Sequence, residues 1–259
     1  KNGLDVEIIY IAAGSTAIQA MISGEISVAW GNEASGVVAS HAAGFPLKMI
    51  AVLVNKFVYS FVTLPGITKP QDLKGKSVAV SRFGSGSDFV TRMALKSWGL
   101  EPAKDVTILQ IGNTPARLGA LLTGKVHGSI LNLSQKTRAR KAGLWILADL
   151  SQIDVEYPQG VLYTTAAFIE KRPDLLSKFT KAYVESVRQF KTNRQAALHI
   201  IEKYTGLTDK EEMTEYYETF AKNFLQDFPM PSMPALKTLL EDLGSRNPKV
   251  KEIKPQDLI

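Results

Sequence analysis

The sequence predicts an α/β protein of two similar lobes whose last third is mainly helical. Three observations predict it. Short β-branched runs alternate with amphipathic segments up to about residue 165, the pattern of parallel-type sheets flanked by helices. One strand–turn–helix–strand unit occurs twice. Beyond residue 165 the apolar spacing is helical only.

The elements follow in order. Val6–Ile11 is apolar and β-branched, so it reads as a strand, followed by a turn at Ala12–Thr16. Ile18, Met21 and Ile22 have helical spacing, and Gly24 stops that helix. Ile26–Trp30 is a second strand. An Ala-rich helix runs from Ala34 to Ala43 and closes at Gly44. Lys48–Val54 and Tyr59–Leu64 are further strands, and Pro65–Lys76 is a connector with turn chemistry. Ser77–Val80 is a strand, Arg82–Ser87 a Gly-rich turn, and Asp88–Trp98 a helix stopped by Gly99. Val106–Ile111 is a strand. Thr114-Pro115 opens a helix, with Thr as cap and Pro at the first helical position, and Gly124 ends it. Val126–Leu131 and Val161–Thr165 are strands. In the helical part, Leu175, Leu176, Phe179, Tyr183, Val187 and Phe190 mark one buried face, and Thr208-x-x-Glu211 matches a capping box.

The repeat is the most informative feature. Residues 17–26 (Ala-Ile-Gln-Ala-Met-Ile-Ser-Gly-Glu-Ile) align with 117–126 (Arg-Leu-Gly-Ala-Leu-Leu-Thr-Gly-Lys-Val). Ala20 meets Ala120, Ser23 meets Thr123 and Gly24 meets Gly124; upstream, Gly3-Leu4 matches Gly99-Leu100. Generic βαβ patterning explains one shared glycine but not the whole run. The second copy also has a strand, turn and helix, Ser77–Trp98, before its Gly-Leu. By analogy an equivalent segment is expected ahead of Lys1, at the start of the first lobe.

Composition excludes several function classes. The chain has 259 residues and no Cys, so disulfides, zinc–thiolate sites, iron–sulfur clusters and Cys nucleophiles are ruled out. No stretch approaches the roughly 20 apolar residues of a membrane span. The net charge is +6, but the densest basic run, Lys136, Arg138, Arg140 and Lys141, has no interleaved aromatics. It reads as a solvated helix face and not as a nucleic-acid groove. The Gly84 turn lacks the Lys-Ser/Thr ending of a phosphate loop, Phe89 occupies the third glycine position of a dinucleotide fingerprint, and no Gly-x-Ser-x-Gly elbow occurs. His41, His127 and His199 form no close cluster, so no metal site and no cofactor are expected.

Ligands of open α/β sheets sit beyond the carboxyl ends of strands, where helix N-termini offer unpaired N–H groups and partial positive charge. Three turns meet both conditions: Gly14-Ser15-Thr16, Gly84-Ser85-Gly86-Ser87 and Asn113-Thr114. Two post-strand turns join them, Gly31-Asn32-Glu33 and Asn132-Leu133-Ser134. Each candidate has a plainer alternative. Ser15, Ser87 and Thr114 are good helix caps. Arg82 either meets an anion or faces solvent. Glu33 repels an anion, so it caps its helix or contacts a cation. Tyr59 and Phe83 either wall a ligand or fill the core. Tyr216, Phe220 and Phe224, at four-residue spacing, read as a core stripe. No Arg/Lys clamp is apparent among these turns. That favours an organic ligand with one polar head, anionic in the simplest case, over a bare inorganic anion.

Several ordered stretches carry a family resemblance: Asn2-Gly3-Leu4-Asp5-Val6-Glu7, Gly14-Ser15 running into Gly24-Glu25-Ile26-Ser27-Val28, Asp72–Val80, Trp98-Gly99-Leu100, Leu121-x-x-Gly124 and Phe168-Ile169-x-x-x-Pro173. The chain resembles the substrate-binding proteins of nitrate/sulfonate/taurine ABC importers, the group that includes the NMT1/THI5-like proteins. That resemblance implies a two-lobed periplasmic-binding-protein type II fold with two crossover strands. Lobe one would comprise residues 1–63 and 164–259, and lobe two residues 64–163. It further implies a monomeric, extracytoplasmic receptor, membrane-tethered in some relatives. Such a receptor holds a small molecule between hinged lobes and passes it to a membrane permease, without chemistry. Three alternatives stay open, one of them a small-molecule lyase on this scaffold, for which only Glu33 suggests an acid/base group. Same-fold enzymes of thiamine-pyrimidine metabolism exist, but they carry a Cys-rich motif absent here. Effector-sensing domains of transcription regulators need a helix-turn-helix upstream.

Overall fold

A computed structural model describes residues 3–11, 14–31, 34–153 and 155–259. The repeat in the sequence is also a repeat in the backbone. Helix α1 (Gly14–Ile22) and helix α4 (Thr114–Leu122) are both nine residues long. Their inward residues match by position, Ile18 and Met21 in one, Leu118 and Leu121 in the other. Gly24 and Gly124 follow with φ of +83° and +68°, left-handed positions where glycine carries no Cβ penalty. The next strands, β1 (Val28–Gly31) and β6 (Gly128–Leu131), also coincide. Then come α2 (Ala34–Ala42) with β2 (Leu47–Val54) in the first copy, and α5 (Leu133–Lys141) with β7 (Trp145–Asp149) in the second.

Two further strands complete the sheets. β3 (Ser60–Thr63) runs antiparallel to both β6 and β7, and β8 (Gln159–Thr165) runs antiparallel to both β1 and β2. The orders β1-β8-β2 and β6-β3-β7 are therefore the same three-stranded motif. The second sheet continues outward through β4 (Ser77–Val80) and β5 (Thr107–Gln110), which are parallel to each other, with β4 also parallel to β6. Backbone contacts divide the chain into unit 1, residues 1–56 and 155–259, and unit 2, residues 57–154. β3 thus belongs to unit 2 and β8 to unit 1. The divisions lie upstream of the expected 63/64 and 163/164, because each crossing strand is held by the ladder it enters.

The core of unit 2 gathers Val62, Ala79, Leu118, Leu121, Val126, Leu131, Ala139 and Leu144 between sheet and helices. Helix α3 (Gly86–Ser97) completes this layer, and Gly99 ends it at φ +74° as expected. Arg138, Arg140 and Lys141 of the basic run fall in the last turn of α5, where cations complement the negative end of the helix dipole. Unit 1 carries the C-terminal helices: α6 (Ala166–Lys171), α7 (Pro173–Thr192), α8 (Arg194–Thr205), α9 (Lys210–Glu218) and α10 (Met233–Arg246). Ala197, Ile201, Leu207, Met213, Tyr217 and Ala221 form their shared cluster. Tyr216, Phe220 and Phe224 pack as a ring series beside it, with centroids 4.8 and 5.9 Å apart.

Three expectations are corrected. Val6–Ile11 is not a strand. Ile8 and Tyr10 are 86% and 85% exposed, and among the described residues no strand pairs with it. β-propensity does not make a strand without a ladder. The expected buried face of α7 is fully buried only at Val187, its other members being half-buried. The cap of α9 is Asp209, whose Oδ1 accepts from the N–H groups of Glu211 and Glu212 at 3.0 Å each. Carboxylate outranks the neighbouring Thr208 hydroxyl as a cap. Asp209→Ala is expected to cost about 1 kcal/mol of unit 1 stability and Thr208→Ala a few tenths; urea melts of the two variants check the ranking.

Candidate ligand-binding edge of unit 2

Three parallel strands of unit 2 end on one edge, and a helix starts from each: α3 after β4, α4 after β5 and α5 after β6. Three helix N-termini thus leave one sheet edge, concentrating unpaired N–H groups and positive partial charge. This is the position at which open α/β sheets receive ligands.

The first turn is held by hydroxyls. Gly84 takes φ +77°, which reverses the chain after Arg82 and Phe83. Ser85 then caps α3, its Oγ accepting from the Asp88 N–H at 3.4 Å and donating to the Arg82 carbonyl at 2.7 Å. Ser81, Ser85 and Ser87 form a triangle of oxygens 2.8, 2.8 and 3.0 Å apart, and the Ser81 N–H donates to Ser87 Oγ at 2.8 Å. Ser87 was expected as a possible cap; it is instead the second helical residue, tying the turn back to β4. The Phe83 N–H donates to Gln110 Oε1 at 2.7 Å, which pins the turn over the end of β5. Beneath it Asp88, 2% exposed, accepts from the Gly84 N–H at 3.0 Å and from Arg92 Nε at 2.8 Å.

The other two turns are capped by amides. Asn113, and not Thr114, caps α4 through an Ala116 N–H bond of 3.0 Å; Thr114 is the first helical residue and its hydroxyl is left for another role. Asn132 caps α5 through the Gln135 N–H at 3.1 Å and accepts from the Ser134 hydroxyl at 3.2 Å. Ser134 is only 6% exposed, so it supports Asn132. Tyr59 precedes β3, whose Ser60 pairs with Leu131, so it stands at this same edge and is buried. Phe83 is 55% exposed, which removes its core reading.

Behind the edge lies a side chain absent from the expected site. Arg117 of α4 is 2% exposed. Its Nη1 donates to the Gly112 carbonyl at 2.8 Å, its Nη2 to Thr114 Oγ1 and the Ile130 carbonyl at 3.2 Å each, and its Nε to Ser129 Oγ at 3.2 Å. Burial lowers its affinity for the proton and the nearby Tyr59 phenol raises it, yet a guanidinium stays charged. Where no Arg/Lys clamp is apparent among the turns in the sequence, the fold adds a buried cation bonded to Gly112 and Thr114 of the second turn. The only trace in the sequence is that Arg117 stands opposite Ala17 in the repeat.

The remaining candidates belong to unit 1. Gly14, Ser15 and Thr16 begin α1, with Ser15 and Thr16 exposed. Asn32 and Glu33 lie outside the described residues. A groove of about 620 Å³ runs along α6 and α7, lined by Ile169, Leu176, Thr180, Val184 and Phe228. Its lining is mainly apolar, and Ser177, Lys181 and Glu185 also border it. Among the described residues no cluster of His, Asp or Glu could hold a metal ion, and no helix is long and apolar enough to cross a membrane.

A family profile described as NMT1/THI5 like matches residues 1–197. No curated protein matches the sequence at a significant level. Solved structures do match in fold. A protein from Bordetella bronchiseptica RB50 superposes with a TM-score of 0.81 at 23% identity, over 99% of this chain and 84% of that one. The periplasmic aliphatic sulphonate binding protein SsuA from Escherichia coli gives 0.74 at 18%, over 96% and 86%. The alkanesulfonate-binding protein SsuA from Xanthomonas axonopodis pv. citri, bound to MOPS, gives 0.76 at 16%, over 93% and 82%.

Proposed function

We propose, from the premise that this chain belongs to the NMT1/THI5-like family, that it is the solute-binding receptor of an ABC importer. It captures a small organic molecule outside the cytoplasm and hands it to a membrane permease. The observation that carries this reading is the edge of unit 2. Three helix N-termini, a serine triangle and two amide caps converge there on the end of a parallel sheet. Such an edge binds polar groups through N–H and O–H donors. Of its carboxylates, Asp88 is occupied by Arg92 and the Gly84 N–H, and Asp149 Oδ1, opposite Ser60 in β3, accepts from the Ser151 N–H and hydroxyl. The likeness to sulfonate-binding proteins supports this fold as a receptor scaffold.

A thermal-shift screen tests the reading, with nitrate, taurine, alkanesulfonates, aromatic carboxylates, thiamine, its pyrimidine and flavins. A ligand at about 1,000 times its Kd stabilises the folded state by about 4 kcal/mol, roughly 10 °C for a chain of this size. A selective rise without turnover of the bound solute is expected, and product formation would refute the receptor role. For the solute that binds, Ser85→Ala with Ser87→Ala is expected to weaken affinity roughly tenfold, the loss of one charge-assisted hydrogen bond. Unchanged affinity in a folded double variant would remove the serine turn from the site.

A further inference from the structure

We infer that residues 229–232 clamp the two strands that cross between the units and so stiffen the hinge those strands form. This goes beyond the receptor reading and does not depend on it. The chain passes between units 1 and 2 twice, after Lys56 and before Val155. Two compact bodies joined by two single strands are expected to rotate about those strands. The crossings are tied to each other at both ends. On the unit 1 side the Tyr157 N–H donates to the Asn55 carbonyl at 3.3 Å, continuing the ladder beyond the Val54–Gln159 pair. On the unit 2 side the Leu150 N–H donates to the Tyr59 carbonyl at 2.9 Å.

The unit 1 end has a further set of bonds, all from one loop. The Asn55 side chain acts there as a peptide group. Its Nδ2 donates to the Met230 carbonyl at 3.2 Å, and its Oδ1 accepts from the Ser232 N–H at 3.3 Å. The Val52 N–H, on the edge of β2 away from β8, donates to the Pro229 carbonyl at 2.8 Å. On the other crossing, the Ser232 hydroxyl donates to Glu156 Oε2. The loop is itself anchored. Ser232 Oγ caps α10 through the Ala235 N–H at 3.4 Å, and Lys191 Nζ donates to the Leu225 carbonyl at 3.2 Å and to Asp227. Pro229, Pro231 and Pro234 fix φ along it, so its shape is preset and little entropy is lost in holding it. Without the loop the crossings would leave unit 1 as a two-stranded ribbon, which is weakly held on its own. Clamped, they move with the body of unit 1. Fewer arrangements of the two units are then sampled, and a solute that selects one of them has less to order.

The test reads the hinge directly. The protein has no native Cys, so Lys104→Cys in unit 2 and Glu202→Cys in unit 1, both exposed, take spin labels cleanly. Pulsed dipolar spectroscopy without solute gives the distribution of label–label distances. In Asn55→Ala that distribution should broaden. The Tyr157 amide should also exchange with solvent roughly tenfold faster, although its acceptor, the Asn55 backbone carbonyl, is kept. An unchanged distribution in the folded variant overturns the inference. Faster exchange without broadening overturns it as well, since the loop would then be a local prop. Should Asn55→Ala fail to fold, Glu156→Ala decides by the same outcomes, because Glu156 is exposed and its loss leaves the Ser232 cap in place. No solute enters the measurement. A failed clamp would therefore leave the receptor reading standing, and a flat solute screen would leave the clamp standing.

Discussion

Replacing Asp88 by Ala is expected to lower the stability of unit 2 by about 3 kcal/mol, the cost of stripping partners from buried polar and charged groups. The carboxylate is 2% exposed and serves two partners, Arg92 Nε at 2.8 Å and the Gly84 N–H at 3.0 Å. The Arg92 side chain is 20% exposed, so its charge would be left largely buried and unanswered. Alanine would also release Gly84, whose φ of +77° sets the turn under the serine triangle. Stability and ligand binding should therefore fall together. Asp88→Asn keeps an acceptor but loses the charge, and should cost about half as much. Calorimetry separates the two units if they melt independently, and a loss below about 1 kcal/mol for Asp88→Ala would show that the pair is screened by solvent.

What the sequence made legible follows how local each cause is. β4 and the stops at Gly24, Gly99 and Gly124 were readable because a β-branched run and a left-handed glycine act within a few residues. The caps were misplaced by one residue at Thr114 and Thr208, because a stronger capping side chain stands next to each, Asn113 before the one and Asp209 after the other. Val6–Ile11 looked like a strand and is not one, since a strand is a property of a pair. β7 gave no signal of its own; it is a five-residue edge strand paired, among the described strands, with β3 alone. The same division holds in the site. The turns at Ser85, Thr114 and Asn132 were legible because Ser, Thr and Asn after a strand have local meaning. Arg117 was not, because its role depends on the oxygens of Ser129 and Ile130 across the fold.

The repeat also fixes where the two copies cannot be exchanged. Val28 of unit 1 corresponds to Gly128 of unit 2, so Gly128→Val puts into one copy what the other already holds. It is expected to destabilise unit 2 by at least about 3 kcal/mol, the upper range for overpacking a core. Gly128 pairs with Thr63 of β3 on one side and with Val78 of β4 on the other. A Cβ there would stand 2.9 Å from Phe61 Cε1, 3.2 Å from Val78 Cγ1 and 3.5 Å from Leu73 Cδ2. None of the three can retreat into solvent, because Phe61, Leu73 and Val78 are all 0% exposed. The Phe61 ring is further held edge-on against Trp98, with centroids 5.1 Å apart. Even Gly128→Ala should cost about 1–2 kcal/mol, and the branched methyls of Val add to a clash already made. Val28 meets no such constraint: it is half-buried, and its strand, β1, pairs only with β8 among the described strands. The reverse substitution, Val28→Gly, should therefore cost only about 1 kcal/mol, from backbone entropy and lost packing. Denaturant melts of the three variants check the order. Equal losses for Val28→Gly and Gly128→Val would mean that the strand fixes the residue, and not the neighbours that surround it.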